Sequence, residues 1–155
     1  MQVISLPAAI TLTEWSERTF WRKFADGSLA RETVNGKAMI SFDLIKPHLC
    51  LALSPEDLSV LASAVAGDAE AQNEMALIFL ANEKPKGAIY WLEQAAKQGC
   101  ADAMNLLSQR YMKGSGVPQD ENTGMIWLAK AATLGHLISQ CQMQGLRNRN
   151  GANHL

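Results

Sequence analysis

Arg18 and Arg22 stand four residues apart within residues 13–27, with Lys23 beside them. On a helix that spacing lines two guanidinium groups along one side. Such a face is either ordinary solvated surface or a landing place for anions. Phe20 and Phe24, also four apart, mark a second, apolar face, and Gly27 closes the run. Trp15 and Trp21 lie in the same segment as core or interface aromatics. An exposed tryptophan here favours a protein contact, because Trp is enriched among the residues that dominate interfaces.

No other set of side chains forms a catalytic constellation. His48, His136 and His154 are scattered, and none has a nucleophile at a paired spacing. Cys50, Cys100 and Cys141 are far apart and make no CxxC or Cys/His ligand pattern, so they read as small apolar thiols in a reducing compartment. Gly114, Gly116 and Pro118 form a glycine-rich loop, but without a following Lys-Ser/Thr it is no phosphate cradle. Asp68, Glu70 and Glu74 read as a solvated acidic helix edge. The expectation is a protein that is not an enzyme, with no cofactor and no metal.

Composition sets outer bounds. The chain has 155 residues, 48% of them hydrophobic, and a formal net charge of −1, enough for one or two small cores. Residues 1–50 carry six bases against five acids, and the remainder eight against ten, so no strong field points to nucleic acid or membrane. The start, MQVISLPAAI, lacks the basic and long apolar regions of a signal peptide. No apolar run approaches the ~18 residues that would span a bilayer. A cytoplasmic location with no membrane partner is expected.

The elements that hold these residues emerge from self-similarity. GCADAM (99–104) lies 32 positions after GDAEAQ (67–72), and WLEQAAKQG (91–99) returns as WLAKAATLG (127–135), 36 positions on. The unit is G-x-A-x-A, helix, loop, then a helix ending W-L-x-x-A-A-x-x-G. Its loop is ANEKPKG (81–87) in the first copy and the longer KGSGVPQDENTG (113–124) in the second. Met75, Leu77, Ile78 and Phe79, then Leu106, Leu107 and Tyr111, supply the apolar stripes. Trp91 and Trp127 fill between layers, and the alanines at 95, 96, 131 and 132 allow close helix approach. A single unit cannot bury its own face, so stacking stabilises it. Ser54-Pro55-Glu56-Asp57 starts a helix over residues 55–66, a half-repeat covering the first hairpin. A third unit opens at Gly135-His136 and stops near Arg147 as a cap, which gives a stack about five helices long.

On GDAEAQ (67–72), YWLEQAAKQG (90–99), YMKGSGVPQD (111–120) and IWLAKAATLG (126–135), the chain resembles a Sel-1-like repeat protein over residues 66–145. It departs in having Ala76 or Ser108 where the family's first helix usually carries glycine. The resemblance implies a TPR-like helical scaffold that binds a protein or peptide partner. Tyr90 and Tyr111 on the stack, with Trp21 ahead of it, are the candidate protein-binding residues.

The front segment follows a different pattern. Residues 31–42, RETVNGKAMISF, are two short alternating runs around Asn35-Gly36, a strong hairpin signal. SERTFWRKFADGSL (16–29) followed by that hairpin resembles the excisionase or MerR-like winged-helix module across residues 5–46. The resemblance implies that Ser16, Arg18, Thr19, Arg22 and Lys23 face DNA from the major-groove helix, with Lys37 on the wing. Guanidinium groups would read guanine edges or hold phosphates, and hydroxyls would fix register. Trp21 departs from the family by occupying a place where a basic residue is common.

The expected fold is mainly α: a short α-α superhelix of Sel-1-like repeats preceded by a small winged helix-turn-helix unit with a β-hairpin. Residues 1–50 form the head, 54–147 the repeats, and 148–155 a flexible tail. The functional expectation is a bacterial transcriptional regulator with a DNA-binding head and a protein-binding stack. The alternative is a pure adaptor whose head does not touch DNA. So short a head would need pairing to reach useful affinity, hence a homodimer.

Overall fold

A computed structural model describes residues 2–152; His154 and the last three residues of the expected tail lie outside that range. The chain opens with strand β1 (Val3–Ser5) and turns directly into helix α1 (Leu6–Thr13), because Ser5 caps the helix and Pro7 sits in its first turn. Leu6, Ala8, Ala9 and Leu12 of α1 are all buried. Glu14 then adopts left-handed geometry (φ 57°), which ends α1 and turns the chain into α2 (Glu17–Ala25). The Ser16 hydroxyl caps α2 by accepting from the Thr19 amide at 3.1 Å. Phe20 faces inward and is fully buried.

Strands β2 (Glu32–Val34) and β3 (Lys37–Ser41) pair antiparallel with Val34 opposite Lys37, which leaves Asn35-Gly36 as a two-residue turn. Both turn residues have positive φ, 51° and 76°, the requirement that made this dipeptide a hairpin signal. β1 pairs with the other edge of β3, so the sheet order is β1-β3-β2. Helix α3 (Phe42–Ile45) and a 3-10 turn (Lys46–His48) follow. The Cys50 amide then bonds the Leu12 carbonyl at 2.8 Å and pins the exit of the head back onto α1.

From Ser54 onward the chain is helical hairpins. Ser54 and Asp57 form a reciprocal capping box that starts α4 (Pro55–Ala66), as their spacing predicts. Then come α5 (Ala69–Ala81), α6 (Pro85–Lys97), α7 (Ala101–Lys113), α8 (Glu121–Thr133) and α9 (Leu137–Ala152). α5 packs with α6 and α7 with α8 as hairpins, while α4·α5, α6·α7 and α8·α9 contacts join the layers. Gly67, Gly99 and Gly135 occupy the reversals between layers with φ of 106°, 88° and 87°.

Three expectations need correction. The stack has six helices, not five, since the half-repeat and the last helix flank four hairpin helices. Leu77 is not part of the buried stripe: it is 46% exposed, because it stands two residues, about 200° of helical turn, from buried Met75 and Phe79. Residues 148–152, expected as tail, continue α9. One apolar core runs from Ile4 and Leu12 in the head through Phe79 and Trp91 to Ala131, so head and stack pack against each other directly. No helix among the described residues is long and apolar enough to cross a membrane.

Candidate interaction surfaces

Helix α2 belongs to the head, and most of its residues are exposed. Its buried side chain is Phe20, which leaves Arg18 and Arg22 exposed on the outer face. Lys37 is exposed beside the hairpin turn. Ser16 and Thr19 are spoken for locally: besides the cap, their hydroxyls lie 2.9 Å apart in a mutual hydrogen bond. Lys23 is half-buried with its ammonium 4.7 Å from the Trp15 ring centre. Trp21 is 42% exposed and donates its indole N–H to Glu17 at 3.2 Å, while the Arg31 guanidinium lies 5.0 Å from its ring centre. The structure therefore brings Arg18, Trp21, Arg22 and Arg31 to one exterior region of the head.

Sequence reasoning missed the seam where the α1–α2 turn meets the α5–α6 loop. There a cleft of about 610 Å³ opens between Ile10, Trp15, Phe79, Pro85 and the charged pair Glu14 and Lys84. Trp15 packs on Phe20 and on the His48 ring, with centroids 5.3 and 4.8 Å away, which fixes one wall. Gly87 shapes the other: a Cβ there would stand 2.3 Å from the Phe79 ring, so helix α6 approaches α5 only as glycine. Glu14 and Glu83, on opposite sides, are two of the three non-glycine residues with positive φ among those described. The third is the turn residue Asn35. The short loop ANEKPKG was the one available signal in the sequence, since a truncated hairpin leaves room for a neighbour.

Electrostatics tie the seam together. Lys84 Nζ meets Glu14 Oε1 at 2.9 Å, and this hydrogen bond raises the lysine above its usual 10.5. Burial, then the nearby Glu14 carboxylate, pushes the Cys50 thiol up, which keeps it protonated and unreactive near neutral pH. The three cysteines are all free.

On the stack, Tyr90 is half-buried in the same seam: it lines a second hollow with Ser5, Ala8 and Met39 of the head. The neighbour it meets is thus part of its own chain. Tyr111 is half-buried in the hairpin α7–α8, and burial raises its phenol above the usual value, followed by the Glu93 and Asp120 carboxylates. Buried polar side chains stitch the layers. Gln72 donates to the Ala64 carbonyl and accepts from Gln98 at 3.0 and 2.7 Å. Asn105 donates to Ser139 and Gln142 at 2.8 and 3.0 Å. His136 caps α9 by accepting from the Ser139 amide through Nδ1, and its Nε2 faces Asp102 at 3.0 Å.

The two hairpins repeat with the same tryptophan, paired alanines and closing glycine. A family model described as the Sel1 repeat matches residues 69–100 and 101–136, the spans of α5–α6 and α7–α8 with their closing turns. Residues 69–136 are thus similar to a pair of Sel1 repeats. Among solved structures, a Sel1 repeat protein from Oxalobacter formigenes is 31% identical with a TM-score of 0.55, over 56% of this chain and 26% of that one. A protective antigen present in uropathogenic Escherichia coli strains, displaying an SLR fold, is 33% identical with a TM-score of 0.55. That alignment covers 61% of this chain and 21% of the antigen. The chain thus spans about a quarter of the length of these Sel1 structures. No curated protein matches it. The matches support the Sel1 pair and its neighbouring helices; the winged-helix resemblance of the head has no match among them.

Proposed function

We propose that the chain is a non-enzymatic protein–protein interaction scaffold, with the head serving as a rigid lid on the Sel1 stack. The observation that carries this reading is the cleft at the seam. It is apolar at its base, through Trp15, Phe79 and Ile10, and charged at its rim, through Glu14, Glu83 and Lys84. An apolar floor with a polar rim is the anatomy of a binding patch. Two rigid elements of one core hold it, so a partner segment would meet a preformed site. Trp21, exposed on the adjoining helix, supplies a second anchor. The test places a photo-reactive residue at Lys86, on the cleft rim, or at Lys97, on the far end of α6. Saturable cross-linking to one cellular protein from position 86, weak from 97 and reduced by Trp21→Ala, is expected. Equal labelling from both positions would sink the proposal.

A second reading keeps the head as a DNA-binding unit of a cytoplasmic bacterial transcriptional regulator. One observation favours it: α2 holds Arg18 and Arg22 exposed, and among the described residues neither is in an ion pair. With the Ser16 and Thr19 hydroxyls engaged in the cap, base or phosphate contact would fall to these arginines, Arg31 and Lys37. Phosphate neutralisation by so few cations implies weak, salt-sensitive affinity, which pairing of two copies would offset. Anisotropy titrations with genomic fragments at low salt should show binding that Arg18→Ala/Arg22→Ala removes. Equal affinity of wild type and double variant would rule the reading out.

A further inference from the structure

Four of the eight large apolar side chains exposed among the described residues, Ile126, Leu134, Leu137 and Ile138, fall within residues 126–138 and are more exposed (55–75%) than the other four. They run along α8 and across the turn into α9. Ile126, Leu134 and Met104 line a hollow of about 460 Å³ there, with Lys130 at its edge. Register between the repeats sharpens the point. Counted from the paired tryptophans, 36 residues apart, Leu134 stands where the first Sel1 repeat has Gln98, Leu137 where it has Ala101, and Ile138 where it has Asp102. The same surface positions are polar or small at one junction and large and apolar at the next. Scattered apolar residues are normal on a surface, but a cluster of this kind marks a contact site.

Charge indicates what covers it. Residues 122–152 hold Lys130, Arg147 and Arg149 and no acid, whereas residues 54–83 hold six acids and no base. On α5, the exposed face carries Glu70, Glu74 and Leu77, an apolar residue flanked by carboxylates. The basic, apolar end of the stack is therefore complementary to the acidic, apolar outer face near its beginning. Both cannot meet within one chain, because α6 and α7 lie between them.

We propose that the α8–α9 end of one copy docks on the acidic α5 face of a second copy, a head-to-tail contact that links one stack to the next. It rests on the scaffold reading and gives that scaffold a partner, a second copy of this chain. Because the two surfaces differ, the contact is heterologous and can propagate instead of closing as a two-fold dimer. Opposed charges of this kind steer association and are screened by salt.

Sedimentation velocity of the purified chain tests this. The weight-average mass should rise above 16.9 kDa with concentration at low salt and fall back as salt is raised. Leu137→Asp/Ile138→Asp and Glu70→Lys/Glu74→Lys should each weaken self-association about tenfold or more. Mixed together, the two variants should form a one-to-one complex that grows no further, since each retains one intact surface. All four positions are exposed, and unchanged thermal melts confirm that folding is intact. A wild type that stays at monomer mass across the range overturns the proposal, as does full association of the Glu70→Lys/Glu74→Lys variant. A monomer that still cross-links a foreign protein at the cleft defeats the self-association and leaves the scaffold reading standing.

Discussion

Trp91 and Trp127 hold the same place in successive Sel1-like hairpins, yet Trp91 is 2% exposed and Trp127 is half-buried. The difference comes from their neighbours. Helix α1 of the head lies against α6, whereas the outer face of α8 carries exposed Ile126 and Leu134. Tyr90 and Ile126, the residues just before the tryptophans, show the same contrast: one is tucked against the head, the other is more than half exposed. A repeat position has no fixed burial of its own. What stacks on it decides whether it is core or contact surface.

The comparison can be broken most forcefully at the tryptophans. Trp91→Ala should cost about 3–5 kcal/mol in urea unfolding, as expected for emptying a large core site. Trp127→Ala should cost clearly less, because much of its surface already meets water. Equal losses would mean that the head shields nothing.

Glycines give the next contrast. Gly87→Ala drives a methyl into the Phe79 ring and should destabilise by about 1–3 kcal/mol. Gly145→Ala, with open space around it in α9, should stabilise by up to about 1 kcal/mol through helix propensity alone. Thermal melts of the two variants should move in opposite directions.

Polar layers come third. Asn105→Ala removes the donors to Ser139 and Gln142 and should cost about 1 kcal/mol, loosening α9 first. Faster hydrogen exchange in residues 137–143 than in α5 would show this.

The smallest effect belongs to the ion pair of the seam. Because Glu14 raises the lysine, its stabilisation is complete below the unfolded value of 10.5 and fades as pH rises through the folded one. The melting-temperature gap between wild type and Lys84→Met should therefore be slight at neutral pH and close in strongly alkaline buffer. A gap that widens there contradicts the pairing.

Much of the architecture was legible residue by residue. Ser54 with Asp57 announces a helix start because a side chain and a backbone amide three residues apart satisfy each other. Asn35-Gly36 announces its turn because few residues accept two successive positive φ values. The tryptophan and paired alanines at fixed spacing announce the repeated hairpins because packing a helical pair repeats its demands. The candidate site was harder to see. Trp15 and Phe79 are 64 residues apart in sequence, and nothing local says that they form walls of one cleft. Glu14 and Glu83 carry left-handed backbone without the glycine that would have flagged it.

The sequence by itself determined the hairpin at Asn35-Gly36, the start of α4, the glycine reversals of the stack, and that residues 69–136 stack as two like hairpins. These follow from capping chemistry, backbone sterics and a periodic apolar pattern, all of which act over a few residues. Only the tertiary structure decided which faces survive as surface. Leu77 turned outward, Tyr90 was covered by the head, and Ile126, Leu134, Leu137 and Ile138 were left open, because burial depends on what a distant part of the chain happens to lie against.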